Sequence, residues 1–300
     1  MVDKILNSES INIEQYFDKN NFYYNLWDEK LTKNEFPKYI NKVKILDYKY
    51  FEKEVLSQNI NFGKDLIQSL MDGDIYILKK AYDAKYLIDL KKKAINLIQN
   101  SESTFHKIYE NCPNFYREIN EDLAKNYSFK IIKDSLYFFP WNDDFNNLYK
   151  ETYKRWRLLK YISGYYNDCW ENNTPKDGIV DRIQIVKYPA HSGRAELHQD
   201  PHTYQKFFIS VYMSKRNIDY KEGGMYLLDI NKNEIEIENN IDIGDLAFGC
   251  ASILHGVKRT YPIKENDIDD ALKGRWWMGL YSTVSDYVKN RHTGKPANIK

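Results

Sequence analysis

The spacing of apolar positions changes character near residue 178. Before that point, residues 74–79 (DIYILK) alternate and predict a strand. Residues 82–98 place Leu87, Leu90, Ala94 and Leu97 at helical spacing and predict an amphipathic helix. A second helix is predicted over 105–124, interrupted near Pro113. Residues 129–139 are β-branched and aromatic and predict one or two strands. Residues 146–170 carry Leu148, Tyr149, Tyr153, Trp156, Leu159, Ile162 and Tyr166 on one helical stripe. They predict a long helix ending at the Asn-Asn-Thr-Pro turn of 172–175. The first seventy or so residues are polar with scattered aromatics (Tyr16, Phe17, Phe22, Tyr23, Tyr24, Trp27). Short helices that pack on something else are expected there.

Beyond residue 178 the apolar segments are short, β-rich and separated by turns: 180–188, 206–213, 224–230, 233–238, 245–249, 252–257 and 275–283. Such regular spacing predicts a sandwich or barrel. A helical half followed by a β half is an α+β order, unlike the alternation of βαβ folds. The expected organisation is an N-terminal helical extension over 1–72 and a domain over 73–300. The β core of that domain runs over about 128–285, buttressed by helices.

Composition narrows the function classes. Lys and Arg total 44 against 43 for Asp and Glu, a net charge of +1. That balance argues against bulk electrostatic binding of nucleic acid, which needs a basic face. Apolar residues at 42%, with 26 Tyr, suffice for a sizeable core. The longest strongly apolar run, 207–213, is too short to span a bilayer. No apolar segment followed by a cleavage site opens the chain. A soluble, cytoplasmic protein acting on a small molecule, without membrane or nucleic-acid partners, is expected. Cys112, Cys169 and Cys250 are odd in number and form no CxxC pair, so a disulfide framework or zinc knuckle is not expected.

The histidines carry the chemistry. Four of the six lie in two stretches, 190–202 and 244–259. His198 and Asp200 are two apart, so on an extended chain both point to one face. His255, in another predicted strand, can add a second imidazole across the sheet. Two His and one carboxylate leave three positions of an octahedral ion open, the facial triad of non-haem Fe(II) oxygenases. An isolated His-x-Asp is more often a solvated turn. Here strands lead in and out of it, and Glu222-Gly-Gly and Gly244-Asp precede the next ones.

The ordered series Val186-Lys-Tyr188, His198-Gln-Asp200, Phe207-Phe-Ile-Ser-Val-Tyr212, Glu222-Gly-Gly, Gly244-Asp-Leu-Ala-Phe, His255-Gly-Val and Gly274-Arg275-Trp-Trp-Met-Gly-Leu-Tyr resembles the 2-oxoglutarate/Fe(II)-dependent dioxygenase superfamily. The likeness is to its prolyl-hydroxylase-like and phytanoyl-CoA-hydroxylase-like branches. It spans about residues 178–283, with a weaker match over 73–98. The resemblance implies a double-stranded β-helix, a form of jelly roll. It implies Fe(II), 2-oxoglutarate as co-substrate and O2, and hydroxylation of an unactivated C–H bond of a small polar metabolite, such as an amino acid or a sugar, with release of succinate and CO2. The ligands would be His198, Asp200 and His255, and a carboxylate at Asp200 favours hydroxylation over halogenation.

The resemblance also implies a cation for the distal carboxylate of 2-oxoglutarate, a task suited to the planar fork of Arg. Arg275 opens the expected strand and is the first choice. It lies 20 residues after His255, a longer gap than is usual in the family, which the polar insertion 263–273 explains. Arg259 and Lys264 are rivals. Tyr188 resembles a position whose hydroxyl contacts the co-substrate, although an ordinary core Tyr fits equally. Arg182, Arg194 and His202 are candidates for the substrate, and Trp141 and Arg155 could reach the same pocket. His191 is expected on the rim. Tyr212, Trp277 and Cys250 are expected in the core, and His106 and His292 without chemistry. Two other readings stand beside this one. A cupin-like metal enzyme without 2-oxoglutarate would not need Arg275. A non-catalytic jelly-roll binding protein would not need an intact triad.

Overall fold

The computed structural model describes residues 6–7, 11–31, 35–268, 270–291 and 294–297. In chain order the elements are β1 (Leu6–Asn7), α1 (Phe22–Leu31), β2 (Val43–Asp47), α2 (Tyr48–Leu56), α3 (Ile60–Met71), β3 (Ile75–Lys79), α4 (Ala84–Gln99), β4 (Phe115–Ile119), α5 (Glu121–Ala124), β5 (Ile131–Phe138), α6 (Leu148–Ile162), β6 (Ile179–Tyr188), β7 (Arg194–Gln199), β8 (Phe207–Tyr212), β9 (Glu222–Leu228), β10 (Glu234–Glu236), β11 (Leu246–Cys250), β12 (His255–Tyr261), β13 (Arg275–Val284), β14 (Val288–Lys289) and β15 (Lys295–Pro296).

From β6 onward the chain alternates between two antiparallel sheets. One sheet has the order β6-β13-β8-β11 and the other β10-β9-β12-β7. β6 lies in the first, β7 in the second, β8 in the first, β9 and β10 in the second, β11 in the first, β12 in the second and β13 in the first. This winding is the double-stranded β-helix expected above. β3 and β2 extend the first sheet beyond β11. β5 joins at its other end and also pairs with β7, closing that side.

Side-chain parity decides what each face meets. On β6, Ile183 and Ile185 face a core shared with Leu87 and Leu90 of α4 and Trp156 and Leu159 of α6. Val186 and Tyr188 turn the other way and pack with Trp277, Ala195 and Val257. The first sheet is therefore buried on both faces, which is why all six residues of β8 are buried. The helices start where side chains satisfy free backbone N–H groups: Asp47, Asn59 and Asp83 cap α2, α3 and α4. None of the helices among the described residues is long and apolar enough to cross a membrane.

Three expectations are corrected. Residues 105–114 contain no helix, and Phe115–Ile119 form β4, paired antiparallel with β5. Pro113 removes a helical donor, and Tyr116 gains a hydrogen bond from its hydroxyl to Asp134 (3.0 Å). α6 stops at Ile162 because Gly164 takes φ +82°, and a Cβ there would meet Tyr24 Cα at 3.0 Å. The polar N-terminal region holds a strand as well as helices, since β2 runs parallel to β3 at the edge of the first sheet. α6 is fixed to β6 by Lys160 and Asp181, which meet at 2.6 Å with both side chains buried.

Candidate functional site

His198 on β7 and His255 on β12 face each other directly across the second sheet. Each ring is anchored to the carbonyl two residues before it. His198 Nδ1 donates to Glu196 O (2.7 Å) and His255 Nδ1 to Ile253 O (2.9 Å). A carbonyl only accepts, so these bonds assign the ring proton to Nδ1 and leave each Nε2 lone pair free. Asp200 follows β7 and turns its carboxylate to both rings. Its Oδ1 is 3.8 Å from His198 Nε2 and its Oδ2 3.7 Å from His255 Nε2. One ligand atom from each residue falls within a 4.8 Å span.

The ring planes are held as well as the rings. Phe129 stacks on His198 at 4.1 Å, and Phe208 lies 5.6 Å from His255. Burial, reinforced by the neighbouring His255, lowers the His198 imidazole to about 4. The ring is thus neutral near pH 7, the form that binds a metal. Two free imidazole nitrogens and a carboxylate converging on one point fit an Fe(II) centre with open positions.

A cavity of about 50 Å3 between the sheets touches all three of these residues and is also lined by Tyr188, Ser210, Arg275 and Trp277. Arg275 is 2% exposed and gripped along one edge by Glu238. Its Nε donates to Oε1 at 2.9 Å and its Nη2 to the same oxygen at 2.6 Å. Its Nη1 is buried with no hydrogen-bond partner, so it is the donor left for a ligand in the cavity. Glu238 is itself held by the Met225 N–H (2.7 Å) and by the Tyr220 hydroxyl, and it is not part of the cavity wall. The Glu222-Gly-Gly motif explains this placement. Gly224 has φ +104°, and a Cβ there would lie 2.5 Å from Glu238 Oε2. Tyr188 lies under the Arg275 guanidinium at 4.9 Å, and burial pushes its phenol up to about 12, which keeps the proton on.

A larger cleft of about 290 Å3 adjoins this cavity and shares Ile131, Lys133, His198, Asp200 and Tyr281 with it. Lys133, Tyr137, Arg182, Gln184 and Tyr281 line it. Lys133 is 8% exposed and donates to Gln184 Oε1 (3.1 Å). Burial, with Arg182 nearby, pulls its ammonium down to about 7.

The structure separates the remaining candidates. Among Arg275, Arg259 and Lys264, only Arg275 lines the cavity; the other two are exposed. Arg182 lines the cleft, whereas Arg194 pairs with Glu121 (2.9 Å) and lines neither space. His202 packs against Phe36 at 5.6 Å. His191 sits in a left-handed turn, 3.8 Å from Glu265. Trp141 donates to Cys112 O and Arg155 to Ala81 O, so both tie loops together. Tyr212 and Cys250 are buried in the core, and His106 lies against Phe115. Trp277 is in the core, as expected, and also lines the cavity. His292 lies outside the described residues. Sequence reasoning missed Lys133 and Glu238. Lys133 had a signal, a single cation in the apolar run Ile131–Phe138. Glu238 had none beyond the paired glycines, because its partner lies 37 residues away.

No family model and no curated protein sequence matches the chain. Solved structures do. A prolyl-4-hydroxylase from Pseudomonas putida is similar at 10% identity, covering 76% of this chain and 98% of its own, with TM-score 0.47. A full-length protein from Neurospora crassa, solved in complex with alpha-KG, is similar at 12% identity, covering 83% and 89%, with TM-score 0.49. A putative 2OG-Fe(II) oxygenase family protein from Caulobacter crescentus is similar at 14% identity, covering 81% and 87%, with TM-score 0.48. The likeness is one of chain path.

Proposed function

We propose that this chain is an Fe(II)- and 2-oxoglutarate-dependent dioxygenase that hydroxylates an unactivated C–H bond of a small polar metabolite, releasing succinate and CO2. The observation that carries this is the pair of tethered imidazoles, with Nε2 free in each and both turned to Asp200. Iron bound there would supply the oxidising chemistry, with 2-oxoglutarate and O2 as the other reactants. The chain's own residues do the rest. His198, His255 and Asp200 would hold the ion. Arg275 offers Nη1 to the distal carboxylate of the co-substrate, with Glu238 keeping the guanidinium in place from behind. Tyr188 presents a protonated hydroxyl beside it. The apolar walls Ile131, Phe208, Val257 and Trp277 exclude water from this cavity. Three buried, unpaired thiols suit the reducing conditions of the cytoplasm.

Anaerobic titration with Fe(II) and then 2-oxoglutarate tests this reading. The wild type should develop the visible charge-transfer band of a chelated keto acid. Arg275→Ala should bind iron equally but need at least tenfold more 2-oxoglutarate, about the worth of one charge-assisted hydrogen bond. Iron binding without a band would favour a cupin-like enzyme that does not use 2-oxoglutarate. Absence of iron binding would leave a non-catalytic jelly roll.

A further inference from the structure

The cleft beside the triad is lined by two basic side chains with no carboxylate partner, the buried Lys133 and the partly buried Arg182. The Arg182 guanidinium sits between the rings of Tyr137 (5.5 Å) and Tyr281 (5.2 Å). Its Nε is buried with no hydrogen-bond partner, and among the described residues no carboxylate lies within ion-pair distance. Lys133, equally without a carboxylate, uses one of its three donors on Gln184 and keeps the others. Buried charges in folded proteins are ordinarily paired, because leaving one unpaired is expensive. Arg291 shows the ordinary case in the same cleft, since it is paired with Asp286 at 2.5 Å. Asp200 is the one acid lining the cleft among the described residues, and its two oxygens face the imidazoles.

We infer that Lys133 and Arg182 form a binding subsite for an oxyanion, and that the substrate is an anionic metabolite whose carboxylate, sulfate or phosphate group docks there beside the metal-binding face. The stacked guanidinium is pre-oriented, so its planar fork of donors can meet two oxygens at little cost in side-chain order. Arg182 does not line the cavity that holds Arg275, and Arg275 does not line the cleft; Lys133 lines both, so the subsite adjoins the co-substrate cavity and Arg182 is the residue that sets it apart. That the anion belongs to the substrate rests on the proposed function; the subsite itself does not.

The test is calorimetric titration of the metal-free protein with inorganic sulfate and inorganic phosphate at constant ionic strength. The wild type should bind each saturably at one site. Arg182→Gln and Lys133→Met should each weaken binding about tenfold or more, and the double variant should abolish it. Arg259→Gln, at an exposed cation that lines neither space, should bind both anions as the wild type does. Melting curves establish that each variant is folded. If a charge-removing variant does not fold, Arg182→Lys keeps the charge, removes the planar fork and should still weaken binding about tenfold. No saturable binding by the wild type would overturn the inference. So would a double variant that binds like the wild type, or loss of binding in Arg259→Gln. The iron and 2-oxoglutarate band reads the proposed function separately. Its absence alongside intact sulfate binding would sink the dioxygenase and leave the subsite standing.

Discussion

Each imidazole of the candidate triad is oriented by the backbone carbonyl two residues before it, Glu196 for His198 and Ile253 for His255. The same local device, used twice, aims both Nε2 atoms at Asp200. The ligands therefore depend on a sheet that would exist without them. Accordingly, His198→Ala, Asp200→Ala and His255→Ala should each reduce succinate formation to background while the protein still melts in one cooperative transition. Global unfolding of all three would contradict a purely metal-binding role. The triad was legible in the sequence because the two-residue period of a strand is a local property, and His-x-Asp exposes it. Glu238 was not, since nothing near it in the chain announces an arginine 37 residues away. Lys133 stood in plain view, but its inward parity becomes informative only once β5 is known to face the cleft.

At the scale of elements, the junction of α6 and β6 is the most exacting. Lys160 donates to Asp181 Oδ2 and to the Cys169 carbonyl, both at 2.6 Å, and Ser282 donates to the other Asp181 oxygen at 2.8 Å. Lys160→Met would leave that carboxylate buried with no counter-charge. It should cost about 3–5 kcal/mol, read as a fall in the urea midpoint. Lys160→Met combined with Asp181→Leu should recover most of the loss; if it does not, the pair is more than a matched burial. Among the elements themselves, segments with one clear period were predicted well, notably α4, β6, β8 and β13, whereas β7, which carries His198, was not among the predicted strands. The failures share a cause. β2 and β4 are five residues each and take their identity from a partner strand, which the residues alone do not reveal. The end of α6 is set by the fit of Gly164 against Tyr24, a contact between segments about 140 residues apart.

For the whole molecule, the jelly roll packed against its helices encloses cations that water would otherwise solvate. Burial lowers both Lys133 and Lys206 to about 7. In the unfolded chain a lysine titrates near 10.4, so above pH 7 the unfolded state binds more protons and stability rises with pH. The contribution is complete above the unfolded value and fades as the pH falls toward 7. Between pH 7 and 9 each lysine should add up to about 1.4 kcal/mol per pH unit. Lys206 donates to Ser163 O (2.9 Å), away from the triad, so Lys206→Met isolates its share. Urea midpoints at pH 7, 8 and 9 should rise less steeply in that variant, and an unchanged slope would refute the assignment. The anchored imidazoles carry one more consequence. A cage already in its ligating shape grades incoming ions by their intrinsic affinity, and nickel and copper outrank iron on that scale. Protein eluted from a nickel resin will therefore carry the resin's metal, and its colour will record its handling until it is stripped and reloaded.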